Sequence, residues 1–237
     1  MSLDYGTYVS SIANLMVADP TTPEFLNFLP NCITYAENRI YREIDLLNTV
    51  VANSSNNLTA GSRSFSLPTN GNNGVFYTVS GVNVITPVDT APDSGTRNQL
   101  AAVSVDYLNT VWNSNATLAV PQQFAMINQF TMLVGPWPDK NYTLEVIGTI
   151  QPAPLSSSNT TTFLTIYLAD LFIAASMIFA SGYMRDFGAQ SDNPQQAQSW
   201  ESQYGELFKS AMLLELRKKW AGPGWLPYSA TPISATR

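Results

Sequence analysis

The sequence predicts an α+β protein: an antiparallel helical bundle with an inserted small, mostly antiparallel β module and an extended C-terminal arm. Apolar residues recur at helical spacing in residues 1–48 and again in residues 161–222. Between them, residues 49–160 alternate short runs of β-branched and aromatic residues with Gly, Asn, Ser, Thr and Pro. Residues 223–237 have neither pattern, and we expect them to form the extended arm.

Two helices are predicted in the first part of the helical body. The first lies near Tyr5–Val17. The second begins after Asp19, with Thr22 as its capping side chain and Pro23 at the first helical position. Its apolar face repeats at steps of three and four residues: Leu29, Ile33, Ala36, Ile40, Ile44 and Leu47. Cys32 lies on an apolar helical face, and we expect a buried free thiol.

The β module is predicted from five runs rich in β-branched and aromatic residues: Ser64–Leu67, Val82–Ile85, Phe124–Ile127, Thr131–Val134 and Tyr142–Ile147. The segment Gly135–Lys140 contains two prolines and is expected to be a tight reversal. Residues Thr69–Gly74 and Thr86–Thr96 are expected to be loops. A short helix is predicted over Val105–Trp112, capped by Ser104.

Two long helices are predicted after the β module. The first has an apolar repeat at Leu164, Leu168, Leu171, Ala175, Ile178 and Gly182, and small residues at 174, 175 and 180–182 that permit close helix approach. Asn193 and Gln196 can form a capping box for the next helix. That helix has its repeat at Trp200, Tyr204, Leu207, Ala211 and Leu214. Arg217–Lys219 complements the negative end of its dipole, with a nucleic-acid contact as the alternative.

The charge composition argues against DNA wrapping. The formal net charge is −6 and 12% of the residues are charged, whereas reading or wrapping a duplex needs Lys and Arg side chains facing phosphates. An acidic wall that DNA slides past remains compatible with this charge. The low charge favours a hydrogen-bonding surface that makes extensive contacts with other proteins.

The sequence contains no histidine, which excludes His-dependent nucleophilic sites and most catalytic zinc sites. No phosphate-binding glycine motif is present, so no cofactor is expected. Carboxylate-only chemistry, as in glycosidases, stays open. The candidates for it are Asp89, Asp93, Asp106, Asp139 and Glu145, which also fit ordinary loop and turn positions.

No membrane association is expected. The N-terminal residues lack a basic segment followed by an apolar one, so no secretory signal is predicted. Residues Phe163–Tyr183 are apolar enough to raise the question of a membrane span, but Asp170 and two hydroxyl residues interrupt them. A buried helix is therefore the preferred interpretation.

The C-terminal arm carries apolar and aromatic side chains without a periodicity that could bury them locally. They are Trp225, Leu226, Tyr228 and Ile233, and Pro227 lies among them. Trp and Tyr are frequent interface anchors, and proline lowers the cost of ordering an extended segment. Docking on a neighbouring subunit or another protein is preferred over the alternatives, a tail folded on its own helices or disorder.

The chain resembles the head-to-tail adaptor (connector) proteins of short-tailed and related tailed bacteriophages. The resemblance is carried by an ordered set of segments over roughly residues 20 to 220: Leu29–Ile44, Pro121–Ala125, Leu133–Asp139, Tyr142–Val146, Pro152–Ser156, Thr160–Leu164 and Trp200–Tyr204. No single segment is specific for this family, but the occurrence of all of them in this order supports the resemblance.

The resemblance implies a non-enzymatic virion protein of the neck, made in the host cytoplasm. It implies a ring of about twelve copies around the DNA channel, with the portal protein on one side and tail nozzle or fibre proteins on the other. We expect portal or partner binding by Trp220, Trp225, Leu226, Pro227, Tyr228 and Ile233. We expect subunit packing by Ala174, Ala175, Ala180, Trp200 and Tyr204.

Two other functions are weighed against this one. A tail-tube or receptor-binding tail protein would require more β structure and fewer long helices than the sequence predicts. A carboxylate-dependent hydrolase of cell wall or polysaccharide would use acids of the β module.

Overall fold

The computed structural model describes residues 3–67, 74–183 and 194–220, and these residues confirm the α+β class. They form two compact units. The helical unit comprises the residues up to Leu47 and those from Phe163 onward, and the β unit comprises Asn48–Thr162. Most of the predicted 69–74 loop, Asn193 of the predicted capping box and the predicted C-terminal arm lie outside the described residues.

Six α-helices lie in the described residues: α1 (Tyr5–Met16), α2 (Pro23–Glu43), α3 (Val105–Val111), α4 (Phe163–Tyr167), α5 (Ala169–Tyr183) and α6 (Pro194–Trp220). The strands are β1 (Val50–Asn53), β2 (Ser64–Ser66), β3 (Val75–Thr86), β4 (Thr96–Gln99), β5 (Ala101–Ala102), β6 (Leu118–Ala119), β7 (Gln123–Asn128), β8 (Thr131–Gly135), β9 (Trp137–Pro138) and β10 (Leu144–Gln151).

The core of the helical unit forms where α1, α2 and α5 meet. The rings of Tyr8 and Phe172 stack with centroids 4.9 Å apart, and those of Phe28 and Phe179 stack at 5.6 Å. Most of the predicted apolar face of α2 is buried: Leu29, Ile33, Ala36, Ile40 and Ile44. Leu47 was wrongly placed on that face, because α2 ends at Glu43 and Leu47 is 44% exposed.

Three details of the predicted helices are wrong. Thr22 precedes α2, but its hydroxyl donates to the Asp19 carbonyl oxygen (3.0 Å) and does not cap the helix. The helix predicted from about residue 162 is divided into α4 and α5; Asp170 in the first turn of α5 accepts the N–H of Leu171 at 2.8 Å. Gly182 is exposed, and a Cβ there would meet nothing within 4 Å, so it does not serve close helix packing.

The β unit contains two four-stranded sheets, ordered β1-β10-β3-β4 and β2-β8-β7-β5, and a two-stranded pair, β6-β9. The pairs are antiparallel except for the short parallel ladders β5–β7 and β6–β9. Side chains from both large sheets share one apolar core, among them Phe65, Val82, Phe124, Val134 and Val146. The mostly antiparallel character predicted for this module is therefore confirmed.

Within the β unit, α3 and its Ser104 cap are confirmed, since the Ser104 hydroxyl oxygen accepts the Tyr107 N–H at 3.2 Å. The segment predicted as a tight reversal is more than a turn: it contains β9, which pairs with Leu118 and Ala119 of β6. Gly148 lies at a register shift where β10 approaches β3, and a Cβ there would come within 2.1 Å of the Thr78 carbonyl oxygen.

Candidate interaction surface

Helix α6 is fixed on the rest of the helical unit by one narrow inner face. Tyr204, Ala211 and Glu215 lie at spacings of seven and four residues and are 2%, 4% and 3% exposed. The Glu215 carboxylate accepts the backbone N–H of Leu47 at 3.0 Å and a hydrogen bond from Lys218 at 2.5 Å. Removing the hydrogen-bond donors from a buried carboxylate costs free energy of folding. The two bonds to Glu215 therefore favour one rotation of α6 about its axis.

A second anchor lies nearer the start of α6. The Arg39 guanidinium donates to both carboxylate oxygens of Glu201 and, at 3.2 Å, to Glu43. It also lies 4.2 Å from the centre of the Tyr204 ring, whose hydroxyl donates to Glu43. The hydrogen bonds with Arg39 lower the pKa of Glu201, and those with Glu201 raise the pKa of Arg39. Both groups therefore stay charged across the neutral range.

The opposite face of α6 presents apolar side chains to solvent. Leu213, Leu216 and Trp220 follow at spacings of three and four residues and are 56%, 43% and 56% exposed. We call these three residues the outer stripe. Arg217 lies beside them and is also exposed. Contiguous exposed apolar groups with a polar rim are typical of protein contact sites, so the outer stripe is the candidate interaction surface.

The basic run predicted at the end of α6 is partly engaged within the chain. Lys218 pairs with Glu215, and its ammonium lies 5.1 Å from the centre of the Phe163 ring. Lys219 pairs with Asp45 at 2.5 Å. Lys218 and Lys219 thus pair with acids of the same chain. These contacts give no support to the alternative, a nucleic-acid contact, and the position of the run at the end of α6 fits its predicted role beside the negative end of the helix dipole.

The five residues predicted to pack between subunits have different positions. Ala174, Ala175, Ala180 and Tyr204 are at most 2% exposed within their own chain, whereas Trp200 is partly exposed. A single chain does not test contacts with a neighbour, and the role of all five in subunit packing stays a prediction. The exposed surface needed for such a role is present at Trp200.

Among the residues predicted to bind the portal or another partner, the structure describes Trp220 alone. It ends α6 and belongs to the outer stripe. Trp225, Leu226, Pro227, Tyr228 and Ile233 lie outside the described residues. Leu213 and Leu216 were not predicted from the sequence as binding residues, although their spacing of three and four residues with Trp220 places all three on one helical face.

A comparison with known protein families decides the class of this chain. The sequence matches the SU10 adaptor protein family over residues 3–224, which covers both units. The chain belongs to the SU10 adaptor protein family. The comparison with curated proteins gave no match. Family membership makes the chain a structural bacteriophage adaptor of the virion, in agreement with the coarse part of the predicted resemblance.

This adaptor keeps its cysteine in the helical core. The Cys32 thiol donates to the Ser176 carbonyl oxygen at 3.4 Å, and the hydroxyls of Tyr8 and Ser176 are 2.8 Å apart. Burial raises the pKa of the Cys32 thiol to about 11. The predicted buried free thiol is confirmed, and its raised pKa makes it a poor nucleophile.

Three of the five acids considered for hydrolysis, Asp93, Asp139 and Glu145, have structural partners in the adaptor's β unit. Glu145 accepts hydrogen bonds from Arg97 (3.0 Å) and Asn83 (2.8 Å), and the bonds from Arg97 lower its pKa. A general acid needs a raised pKa, so Glu145 is poorly suited to that role. Asp139 accepts the Tyr142 hydroxyl at 2.8 Å, and Asp106 lies in the first turn of α3. These contacts give the hydrolase alternative no support.

The part of the adaptor that the structure describes offers neither a metal site nor a membrane span. No group of three or more acidic or cysteine side chains there could hold a metal ion. No described helix has the length and apolar character to cross a bilayer; the most apolar one, α5, has 15 residues.

Proposed function

We propose that this adaptor forms a ring of about twelve copies between the portal protein and the tail, through which DNA passes. The main support for this proposal is the family match over both units, because an adaptor family implies interaction with other phage proteins. The outer stripe supports it, since an exposed apolar surface on the last described helix is suited to protein contact.

The portal side of the proposed ring is formed by Trp220 and the C-terminal arm. Trp220 is 56% exposed at the end of α6. Trp225 and Tyr228 follow it within eight residues in the sequence, so aromatic anchors occur both at the end of the helix and in the arm. Tail nozzle or fibre proteins are the proposed partners of the β unit, whose β7–β8 hairpin exposes Ile127 and Phe130.

In this proposal DNA passes through the channel of the ring, and the protein makes no sequence-specific contacts with it. The net charge of −6 supports it, because a negative channel wall repels phosphates and lets DNA move through. A ring of this protein with a positive bore would contradict this part of the proposal.

The test compares the protein comprising residues 1–237 with a variant that ends at Gly224. Both are mixed with the portal ring of the phage that encodes the chain, and the mass of each complex is measured. We expect a folded variant that no longer binds, because it lacks the aromatic residues of the arm. A Trp225→Ala/Tyr228→Ala variant should reproduce the loss, and a Ser229→Ala/Thr231→Ala variant in the same arm is its matched control.

The outcomes separate the candidate functions. Unchanged portal binding after truncation would refute the role of the arm. Failure of the untruncated protein to bind any portal ring would refute the joining function itself. A stable trimer of the protein alone would favour the receptor-binding alternative.

A further inference from the structure

Charge is segregated between the two ends of α2 in the helical unit. Residues 3–38 contain no Lys or Arg, and Asp19 and Glu24 lie there on exposed surface. By contrast, the last turns of α6, residues 209–219, contain four of the 11 basic residues of the chain; Lys209, Lys218 and Lys219 pair with acids of the same chain, and Arg217 is exposed. Asp19 is held in place by the N–H and hydroxyl of Thr21, at 2.8 and 2.7 Å.

The acidic end also exposes apolar side chains. Leu15 and Leu26 are 44% and 50% exposed, and Val17 is 94% exposed. We call Leu15, Val17 and Leu26, with Asp19 and Glu24, the acidic turn. Val17 has a φ of 54°, a left-handed conformation that is unfavourable for a β-branched residue. This conformation belongs to the C-cap of α1, where the Val17 N–H donates to the carbonyl oxygens of Ala13 and Asn14, and it leaves the valine side chain in solvent.

The acidic turn and the outer stripe cannot meet within one chain. The outer stripe lies beside the C-terminal end of α2, since Glu215 bonds to Leu47 and Lys219 pairs with Asp45. The acidic turn lies at the N-terminal end of α2. This helix has 21 residues, and at 1.5 Å per residue it separates the two surfaces by about 30 Å.

We propose that Leu213 and Leu216 of the outer stripe of one copy dock on the acidic turn of the next copy, while Trp220, at the end of the stripe, stays on the portal side. The two surfaces are opposite in charge: Arg217 follows Leu216 on α6 and is exposed, whereas the acidic turn carries exposed Asp19 and Glu24 together with three exposed apolar side chains. Two different patches on the same chain make a head-to-tail contact, which is the kind of contact that closes rings. The inference rests on the proposed ring and names the surfaces that form it.

The decisive test uses two variants that each lose one surface. Leu216→Glu places a charge in the outer stripe, and Leu26→Glu places one in the acidic turn. Each variant alone should stay monomeric in a sedimentation series over concentration. Their mixture should give a one-to-one dimer and nothing larger, because each chain keeps one working surface. The control is Ser202→Glu, at an exposed position on the same side of α6 about 21 Å from Leu216, and it should assemble normally.

Charge exchange provides a second readout. Arg217→Glu should weaken association at low salt by on the order of tenfold. Adding Asp19→Arg and Glu24→Arg to the same chain should restore it. Circular dichroism of every variant should match the unsubstituted protein, because all the substituted side chains are exposed.

Several results would overturn this inference. If Leu26→Glu alone still dimerises and Leu216→Glu does not, the stripe pairs with itself. If Leu216→Glu lowers the melting temperature of the monomer and leaves assembly unchanged, the stripe is covered by residues 221–237 of its own chain. If both variants fill a portal ring as the unsubstituted protein does, the proposed function stands and this contact is wrong. If the unsubstituted protein does not bind the portal, the proposed function fails instead.

Discussion

Replacing Arg39 by methionine should destabilise the helical unit much more than replacing its partner Glu201 by glutamine. The Arg39 side chain is 15% exposed, whereas the Glu201 side chain is 52% exposed. Methionine keeps the apolar stem of Arg39 but leaves the carboxylates of Glu201 and Glu43 without their guanidinium. Glutamine keeps the shape of Glu201 and removes one charge at a half-exposed position.

The magnitudes follow from these exposures. The half-exposed Glu201 pair contributes about 0.5–1 kcal/mol to the free energy of unfolding. Arg39→Met loses that amount and also the hydrogen bond to Glu43 and the contact with the Tyr204 ring. The total expected loss is about 2–3 kcal/mol. Glu206→Gln on the same helix is the control: its partner Lys209 is 70% exposed, so the change should stay below about 0.5 kcal/mol.

The assay is urea unfolding followed by the helical circular dichroism signal, at neutral and at acid pH. Because the pKa of Glu201 is lowered in the folded state, its contribution is complete above the ordinary value of 4.5 and is lost as the pH falls through the lower folded value. The difference between the unsubstituted protein and Glu201→Gln should therefore shrink on acidification. Equal losses for Arg39→Met and Glu201→Gln would refute the argument, as would a difference that grows in acid.

Four further predictions concern single residues. Cys32 should resist a thiol reagent in the native protein and react fully in urea, because burial raises its pKa to about 11; rapid native labelling would contradict the buried site. Gly148→Ala should lower the melting temperature strongly, since the new Cβ would lie 2.1 Å from a backbone oxygen. Gly182→Ala, with nothing within 4 Å, should instead stabilise by about 0.5–1 kcal/mol. Pro30→Ala should raise the stability of α2 by about 1–3 kcal/mol in urea unfolding, because Pro30 is an exposed interior helix residue without an N–H; a loss would mean that the helix needs its proline.

The sequence predicts elements well where one apolar face follows one period. The α2 face is of this kind and is confirmed except at Leu47; so is the strand predicted at Tyr142–Ile147, whose alternate residues Tyr142, Leu144 and Val146 are all buried. Strand β4 has the sequence Thr-Arg-Asn-Gln, without an apolar alternation, so its pairing with β3 depends on tertiary contacts that the sequence pattern does not contain. The same holds for β5, β6 and β9, which have two residues each and join by parallel ladders.

The candidate interaction surface illustrates a different limit. Leu214 was assigned to the inner face of α6 with Tyr204 and Ala211, but it is 42% exposed. A helix with apolar residues at 211, 212, 213, 214 and 216 has more than one possible inner face, and periodicity alone does not choose among them. The choice needs the identity of the polar partners on neighbouring elements.

Polar anchors make that choice in the folded chain. Arg39 holds Glu201, and the N–H of Leu47 holds Glu215, fourteen residues further along α6. Two anchors about 21 Å apart along one helix fix its rotation, and a rotation of half a turn would leave Glu215 without its donor. The apolar residues opposite these anchors, Leu213 and Leu216, must then face outward. These exposed apolar residues are the surface that we propose meets a partner, and membership of a family of adaptor proteins supports that proposal.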